Sequence, residues 1–453
     1  MENKQLRTLF WESSDNIYPF IKKLDEDNVL KPVVWVGKNP NCTNDVHDFD
    51  YARFDNYKYS EVPIDIIRKL EPYKQTYMEM FQRNYRPWEQ NAYNGKNIHE
   101  MSHIFYMLIN ILYKIFTDNK IEFVFLSRIP HLGADFVMFK MAEILNIPRV
   151  AFQANWLFDF QNYSEYVYNL DDYGSFEENE IDNDILNADF DKSMIENVLN
   201  KYYSYQDSAV NRSKKYQDNI FKKLLKEFRH TGTRELAVIR YKRRRDYAKT
   251  MDKICNNSPD LNLDYVYFPL HLQPEMTTSL LGGKYCDQVL AVEDLSRILP
   301  DNWKIYVKEN PSQGFFQRDE YFFKRLLNIP NVEFVGKEVS SIELIKKSKI
   351  VSTISGTAGW EAILIGKPVI IFGRAWYLKS PGVWTYSEKL DINAVLNTEF
   401  SLDDIYNSAK IHRAKMAPFN MNIYAEAEFI KQQSNIEKCS EFIRKKIQHF
   451  LPQ

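Results

Sequence analysis

Glycine is scarce in this 453-residue chain, at 14 residues, and nine of those (282, 283, 314, 336, 356, 359, 366, 373 and 382) fall within one segment. Backbone approach therefore matters most in that segment, because glycine admits turns and close contacts that a side chain would block. Cysteine is scarcer still. Cys42, Cys255, Cys286 and Cys439 lie far apart with no CxxC pair, which excludes a zinc knuckle or a disulfide scaffold and fits a reducing compartment. No excess of one charge exists either: 59 Lys and Arg against 61 Asp and Glu give a net charge of −2, so no global field favours nucleic acid. Long apolar runs are missing. The most apolar helix-like stretch, Ile104 to Phe116, contains Asn110 and Lys114 and is too short to span a bilayer. Met1 to Phe10 has no basic stretch leading into an apolar run, so no signal peptide is expected, and the chain reads as cytoplasmic. GxSxG, Walker A and GxGxxG are also missing. The usual hydrolase, NTPase and dinucleotide readings lose their main support with them.

What is present is enough apolar sequence, 44% of residues, for two cores, and the length exceeds what one core usually serves. Strand Leu6 to Trp11, helix Ile17 to Leu24 and strand Pro32 to Gly37 open a doubly wound unit. Residues 38 to 97 are polar and tyrosine-rich and take no assignment. Helix returns at Ile98 to Thr117, followed by strand Glu122 to Ser127, a loop through His131, helix Ala134 to Leu145 and strand Arg149 to Gln153. From about 160 to 258 the pattern turns acidic, then basic and helical, ending in Lys242-Arg243-Arg244-Arg245. This stretch is expected to be a helical insertion without a strand of useful length. Its basic cluster is a solvated helix face or a contact for anionic lipid or an acidic glycan. Alternation resumes with five strands, Tyr265 to Leu270, Lys304 to Lys308, Val332 to Val335, Lys349 to Ser355 and Val369 to Phe372, separated by helices. The expected domains are 1–258, 259–400, and helices over 401–453 that cross back to the first domain.

Three loops of the second domain converge if its strands are parallel. They are His271-Leu272-Gln273-Pro274-Glu275, Lys308-Glu309-Asn310-Pro311-Ser312 and Ser355-Gly356-Thr357-Ala358-Gly359-Trp360-Glu361. The third reads as a strand end, a small-residue turn and a helix start, where unpaired N–H groups and the helix dipole favour an anion. Together these loops offer cations, amide and hydroxyl donors and two carboxylates, an inventory that suits a nucleotide-activated sugar. His271, Gln273, Glu275, Lys308, Asn310, Pro311, Ser312, Ser355, Gly356, Thr357 and Glu361 are the candidate donor-binding residues. In the first domain His131 and Asp135, four apart at a helix start, are candidates for the base that deprotonates an acceptor hydroxyl; the other reading is that the histidine simply caps or packs. Asp48-Phe49-Asp50 and Asp189-Phe190-Asp191 have the DxD form of metal-dependent transferases but follow no buried strand, so they read as acidic loops and no essential metal is expected.

The three loop motifs, in this order over roughly residues 260 to 375, resemble the bacterial capsule polysaccharide biosynthesis family, which includes Kdo transferases. The resemblance implies a GT-B fold, two Rossmann-like α/β domains facing a cleft with acceptor on the first and donor on the second. It also implies a metal-independent glycosyltransferase with no cofactor, whose donor is a nucleotide sugar and whose acceptor is a glycan or glycolipid. Peripheral contact with the inner membrane or with other capsule-assembly proteins would follow, and no nucleic acid. By position, Lys308 to Ser312 and Ser355 to Thr357 would hold the donor phosphate and Glu361 the ribose or sugar. Asn310 stands where the family often has the histidine of Lys-x-His-Pro, which keeps hydrogen bonding and loses a titratable cation. A CMP-linked donor such as CMP-Kdo is favoured, with UDP- and GDP-linked sugars open. Two other readings stand beside the transferase: a sugar-nucleotide epimerase of the same architecture, and a non-catalytic glycan-binding or scaffold member of the capsule machinery.

Overall fold

A computed structural model describes residues 5–11, 17–36, 59–81, 97–153, 163–173, 181–188, 234–315, 317–421 and 427–448. Both DxD sequences lie outside these residues, as does most of the expected insertion.

The described residues form two α/β units. The first holds residues up to Ala188 together with those from Ile411 onward. Its sheet has the order β2-β1-β3-β4-β5, with β1 Leu6–Trp11, β2 Leu30–Val36, β3 Phe123–Leu126, β4 Arg149–Gln153 and β5 Glu165–Val167. All pairs are parallel except β4 with β5. β2 begins earlier than its Val-Val-Trp-Val core implied, because Leu30 pairs with Leu6; the register then slips between Thr8 and Leu9, where Pro32 faces Thr8 and has no N–H to give the ladder. β5 is the strand that the acidic stretch after 160 concealed, since three residues are too few to show alternation. Residues 59–81, which had no assignment, contain helices Ile64–Leu70 and Lys74–Phe81, the second packing Tyr77 against Phe81 and Phe105.

The carboxy-terminal helix Gln433–Ile447 completes this core. It buries Ile436, Cys439, Ser440, Ile443 and Ile447 along one stripe at helical spacing, among Phe10, Phe20, Phe125 and Phe152 of the amino-terminal elements. Polar contacts fix its register, with Ser440 Oγ donating to Asp27 Oδ2 at 2.5 Å and Arg444 Nη2 to the Asp27 carbonyl at 2.9 Å.

The second unit carries a six-stranded sheet, entirely parallel, of order β11-β10-β9-β6-β7-β8. Its strands are β6 Tyr265–Pro269, β7 Lys304–Lys308, β8 Val332–Val335, β9 Ile350–Thr353, β10 Val369–Ile371 and β11 Val383–Thr385. β6 and β9 are apolar or small throughout and buried along almost their whole length, as expected of parallel strands covered on both faces. β11 adds a sixth strand to the five expected; it is a half-exposed edge of three residues. Helix Arg234–Ile254, placed by the sequence with the first domain, sets Tyr247, Met251 and Ile254 into the core of the second. Two Rossmann-like units, the first with a mostly parallel and the second with an entirely parallel sheet, both with flanking helices, make up the α/β architecture of the GT-B class.

In each sheet the chain reverses its direction of growth once. β1 leads outward to β2 and the chain returns at β3; β6 leads to β7 and β8 and returns at β9. Loops leaving the carboxyl ends on either side of such a reversal diverge and open a crevice, the usual ligand position in open α/β sheets. The His131 loop follows β3, while the His271 loop and the Ser355 turn follow β6 and β9. All three flank a reversal point.

Candidate nucleotide-sugar site

At the reversal between β6 and β9, the turn Ser355-Gly356 starts helix Thr357–Leu364 with no side-chain cap. Four other helices of this unit are capped: Asp287, Asp319, Ser340 and Asp391 accept from the first-turn amides of the helices they precede. The Gly356 amide itself donates to Thr353 Oγ1 at 3.2 Å. The first-turn amides of Thr357 and Ala358, with the helix dipole behind them, are therefore presented without a capping side chain, in the way an anion-binding helix start presents them.

The turn is held from three sides. His271 Nε2 lies 2.8 Å from Thr353 Oγ1, the Tyr377 hydroxyl donates to the Gly356 carbonyl, and the Ser355 hydroxyl donates to the Thr277 carbonyl. Gly356 is required sterically, because a Cβ there would sit 2.9 Å from His271 Nε2 and 3.1 Å from Thr353 Oγ1. Glu361 lies one turn inward, buried, with Thr357 Oγ1 3.4 Å from its Oε1. Burial, reinforced by the charge of Glu361, pushes up the phenols of Tyr267 and Tyr377, so both face this carboxylate as neutral hydroxyls.

The loop after β6 is locked by a buried polar cluster that the motifs did not reveal. Arg318 and Glu309 form a fully buried ion pair, Nε to Oε2 at 2.7 Å and Nη2 to Oε1 at 3.2 Å. The same guanidinium donates to Gln273 Oε1 at 2.8 Å and to the His271 carbonyl at 3.1 Å. Gln288 exchanges hydrogen bonds with the backbone of His271, and Gln313 with that of Gln273. Arg318, Gln288, Gln313 and Thr353 are thus positioning residues absent from the motif reading. Arg318 lies two residues before the helix Glu320–Leu327, and no local signal marks it as buried.

This cluster changes how several candidates act. His271 was expected to face the donor; instead it is buried, and burial together with the Arg318 charge holds its imidazole down at about 4, so it is a neutral prop for the turn and not a cation. Gln273 has both ends of its amide engaged, Oε1 by Gln288 and Arg318 and Nε2 by the Cys286 carbonyl. Lys308 spends two of its three donors on the Val339 carbonyl and Ser341 Oγ, at 2.5 and 2.8 Å, and burial draws its ammonium down to about 8. Asn310 Oδ1 accepts from the Ser312 amide at 2.9 Å, which shapes the Asn310-Pro311-Ser312 turn. Glu275 begins helix Met276–Ser279, accepting through its backbone carbonyl from Thr278 and Ser279. The loops that the sequence grouped meet at one sheet edge, with Ser355 to Thr357 and Glu361 at the reversal point and Lys308 to Ser312 one strand away on β7.

His271 supplies a pH test. Its unfolded pKa is near 6.5 and its folded value lower, so the stability it confers is complete above pH 6.5 and drains away as pH falls toward about 4. Between pH 7.5 and 5 this one residue should cost about 2 kcal/mol. Denaturant titrations of His271→Gln, which preserves a hydrogen-bonding group, should lack that share of the acid destabilisation; an unchanged pH slope would show that the imidazole titrates normally.

In the first unit, Gly133 at φ +92° turns the loop after β3 into helix Ala134–Ile144. The buried Asp135 carboxylate accepts from the amides of His131, Leu132 and Phe136 at 2.5, 2.9 and 2.9 Å, and burial pushes its carboxyl up. Asp135 therefore caps this helix start, a role the sequence reading had left to the histidine. His131 Nδ1 lies 3.0 Å from the Ile129 carbonyl; a carbonyl only accepts, so Nδ1 carries a proton. Among the described residues, no group of three or more His, Cys, Asp or Glu is arranged to hold a metal ion, and no helix is long and apolar enough to cross a membrane.

No curated protein matches this chain. Among solved structures, Thermosulfurimonas dismutans KpsC, a beta Kdo 2,7 transferase, is 11% identical over 70% of this chain and 88% of its own, at a TM-score of 0.30. UDP-GlcNAc 2-epimerase from Neisseria meningitidis, bound to UDP-GlcNAc, is 12% identical over 98% of this chain and 100% of its own, at 0.25. Scores this low leave the family to the sequence. The model of the family described as capsule polysaccharide biosynthesis protein matches residues 186–424, which include all three loops of the second unit. With more than half of its length matched in this way, the chain belongs to the capsule polysaccharide biosynthesis family.

Proposed function

We propose that the protein is a glycosyltransferase of capsule or surface polysaccharide assembly, moving a sugar from a nucleotide donor to a glycan or glycolipid acceptor. The observation that carries this reading is the uncapped start of helix Thr357–Leu364 at the reversal point of the second sheet. Transfer builds negative charge on the departing phosphate, and oriented amides with a helix dipole stabilise that charge without reorganising. Glu361, behind the turn, is the acceptor for sugar or ribose hydroxyls. Ser355 and Thr357 belong to the same turn, and the loop Lys308 to Ser312, which follows β7 on the far side of β6, would add hydrogen-bonding groups for the donor phosphate. His131, with its proton on Nδ1, is the base that takes the acceptor hydroxyl proton at Nε2. The donor is CMP-linked, as in CMP-Kdo, or UDP- or GDP-linked, and turnover needs no metal.

Purified protein incubated with nucleotide sugars of the three classes tests this directly. Nucleotide release should depend on an added glycan acceptor and should be unchanged by EDTA. Conversion of UDP-GlcNAc to an epimer without acceptor would replace this reading with the isomerase, and failure of CMP, UDP and GDP alike to raise the melting temperature would replace it with a non-catalytic role.

A further inference from the structure

The three grouped loops do not include the one that follows β10, which reaches the same turn. Beyond Ile371 the ladder to the end of β9 continues: the Phe372 amide donates to the Thr353 carbonyl at 3.0 Å and the Gly373 amide to that of Ile354 at 2.7 Å. The Arg374 amide then donates to the Leu281 carbonyl at 2.8 Å, so the backbone leading to Tyr377 is anchored on both sides. Tyr377 is 1% exposed. Its ring shares an aromatic cluster with Trp360 and Trp376, at centroid distances of 6.2 and 5.1 Å. It lies so close over the first turn of helix Thr357–Leu364 that a Cβ on Gly359 would collide with its hydroxyl.

The phenol has one proton, and it goes to the Gly356 carbonyl. Burial, and then the charge of Glu361, push this phenol up, so the proton stays in place. The Gly356 carbonyl also accepts from the Gly359 amide at 3.1 Å, which engages both of its lone pairs. That carbonyl and the Thr357 N–H belong to one peptide group. Through the peptide resonance, electron density drawn to the oxygen leaves the nitrogen, so each bond accepted at Gly356 makes the Thr357 N–H a stronger donor. His271 and Ser355 also hold the turn, but through Thr353 Oγ1 and the Thr277 carbonyl, neither of which belongs to this peptide. We propose that Tyr377 is a positioning residue for transfer: its hydroxyl fixes the Gly356–Thr357 peptide and polarises the N–H that meets the donor phosphate. The role rests on reading the turn as the donor site. Its effect is greatest where the departing phosphate carries most charge, in the transition state.

Tyr377→Phe keeps the ring and removes only the O–H, and two measurements on the full chain test the role. In steady-state transfer, kcat should fall about tenfold while KM for the nucleotide sugar stays close to wild type, a split that general loosening of the site would not give. In magnetic resonance spectra of protein labelled at threonine nitrogen, saturating CMP, UDP or GDP, whichever binds, should move the Thr357 amide proton downfield. In Tyr377→Phe that movement should be smaller, because the peptide is less polarised. A folded variant with wild-type kcat, a loss confined to KM, or a nucleotide-induced shift at Thr357 equal to wild type would each overturn the role of Tyr377 and leave the donor site standing. Nucleotide binding that leaves the Thr357 proton of the wild-type protein unmoved would overturn the donor site itself, and this role with it.

Discussion

Arg318→Met should be the most destabilising single substitution in the second unit. Arg318 and Glu309 are both fully buried, and removing the cation leaves a carboxylate without compensation in a medium that solvates it poorly, at a cost of about 3–5 kcal/mol. The melting midpoint should fall by roughly 10 °C. Coupling with Glu309→Gln separates charge pairing from packing. Once the orphaned charge is gone the double variant should recover part of the loss, with an interaction energy of about 2 kcal/mol in the cycle. Additive losses would mean that the pair is only two well-packed side chains. Because the same guanidinium holds Gln273 Oε1 and the His271 carbonyl, the single variant should also weaken nucleotide binding in conditions where it remains folded.

Gly356→Ala should produce the largest loss of activity for the smallest change in composition. The added methyl would meet His271 Nε2 at 2.9 Å and Thr353 Oγ1 at 3.1 Å. Neither neighbour yields easily, since His271 is fixed through Gln288 and Arg318 and Thr353 is fully buried in the sheet. The turn must move instead, carrying the Thr357 and Ala358 amides with it. A displacement near 1 Å at the reacting end costs on the order of 100-fold in rate. We therefore expect kcat/KM for transfer to fall about 100-fold while circular dichroism still reports a folded protein; wild-type kinetics in a folded variant would remove the turn from the site.

Much of the second unit is legible from sequence because its strands announce themselves. β6, β7, β9 and β10 are short apolar or small-residue runs, and each is followed by a turn signal: Leu270-His271, Asn310-Pro311, Ser355-Gly356, Gly373. A parallel sheet puts those signals on one edge, so the grouping of the three loops follows from alternation alone. The roles within the loops do not. The neutral state of His271 comes from burial and then from the charge of Arg318, while its side-chain partner Thr353 lies 82 positions away, and no local pattern distinguishes a buried arginine from one that opens a helix into solvent. Asp135 was legible as a residue near a ligand loop, but its three backbone partners became visible only with the φ of +92° at Gly133. β5 and β11 were missed for a simpler reason, since three-residue edge strands carry too little burial to impose a pattern. The affiliation of helix Arg234–Ile254 was missed because Tyr247, Met251 and Ile254 form a narrow apolar stripe in a run dominated by charge.

Hydrogen–deuterium exchange over residues 355–361, with and without whichever of CMP, UDP and GDP most raises the melting temperature, goes to the heart of the matter. Slowed exchange at the Thr357 and Ala358 amides, with Gly356→Ala abolishing the effect, is the expected result. A nucleotide that stabilises the protein yet leaves those amides exchanging as before would place the donor elsewhere and contradict the site.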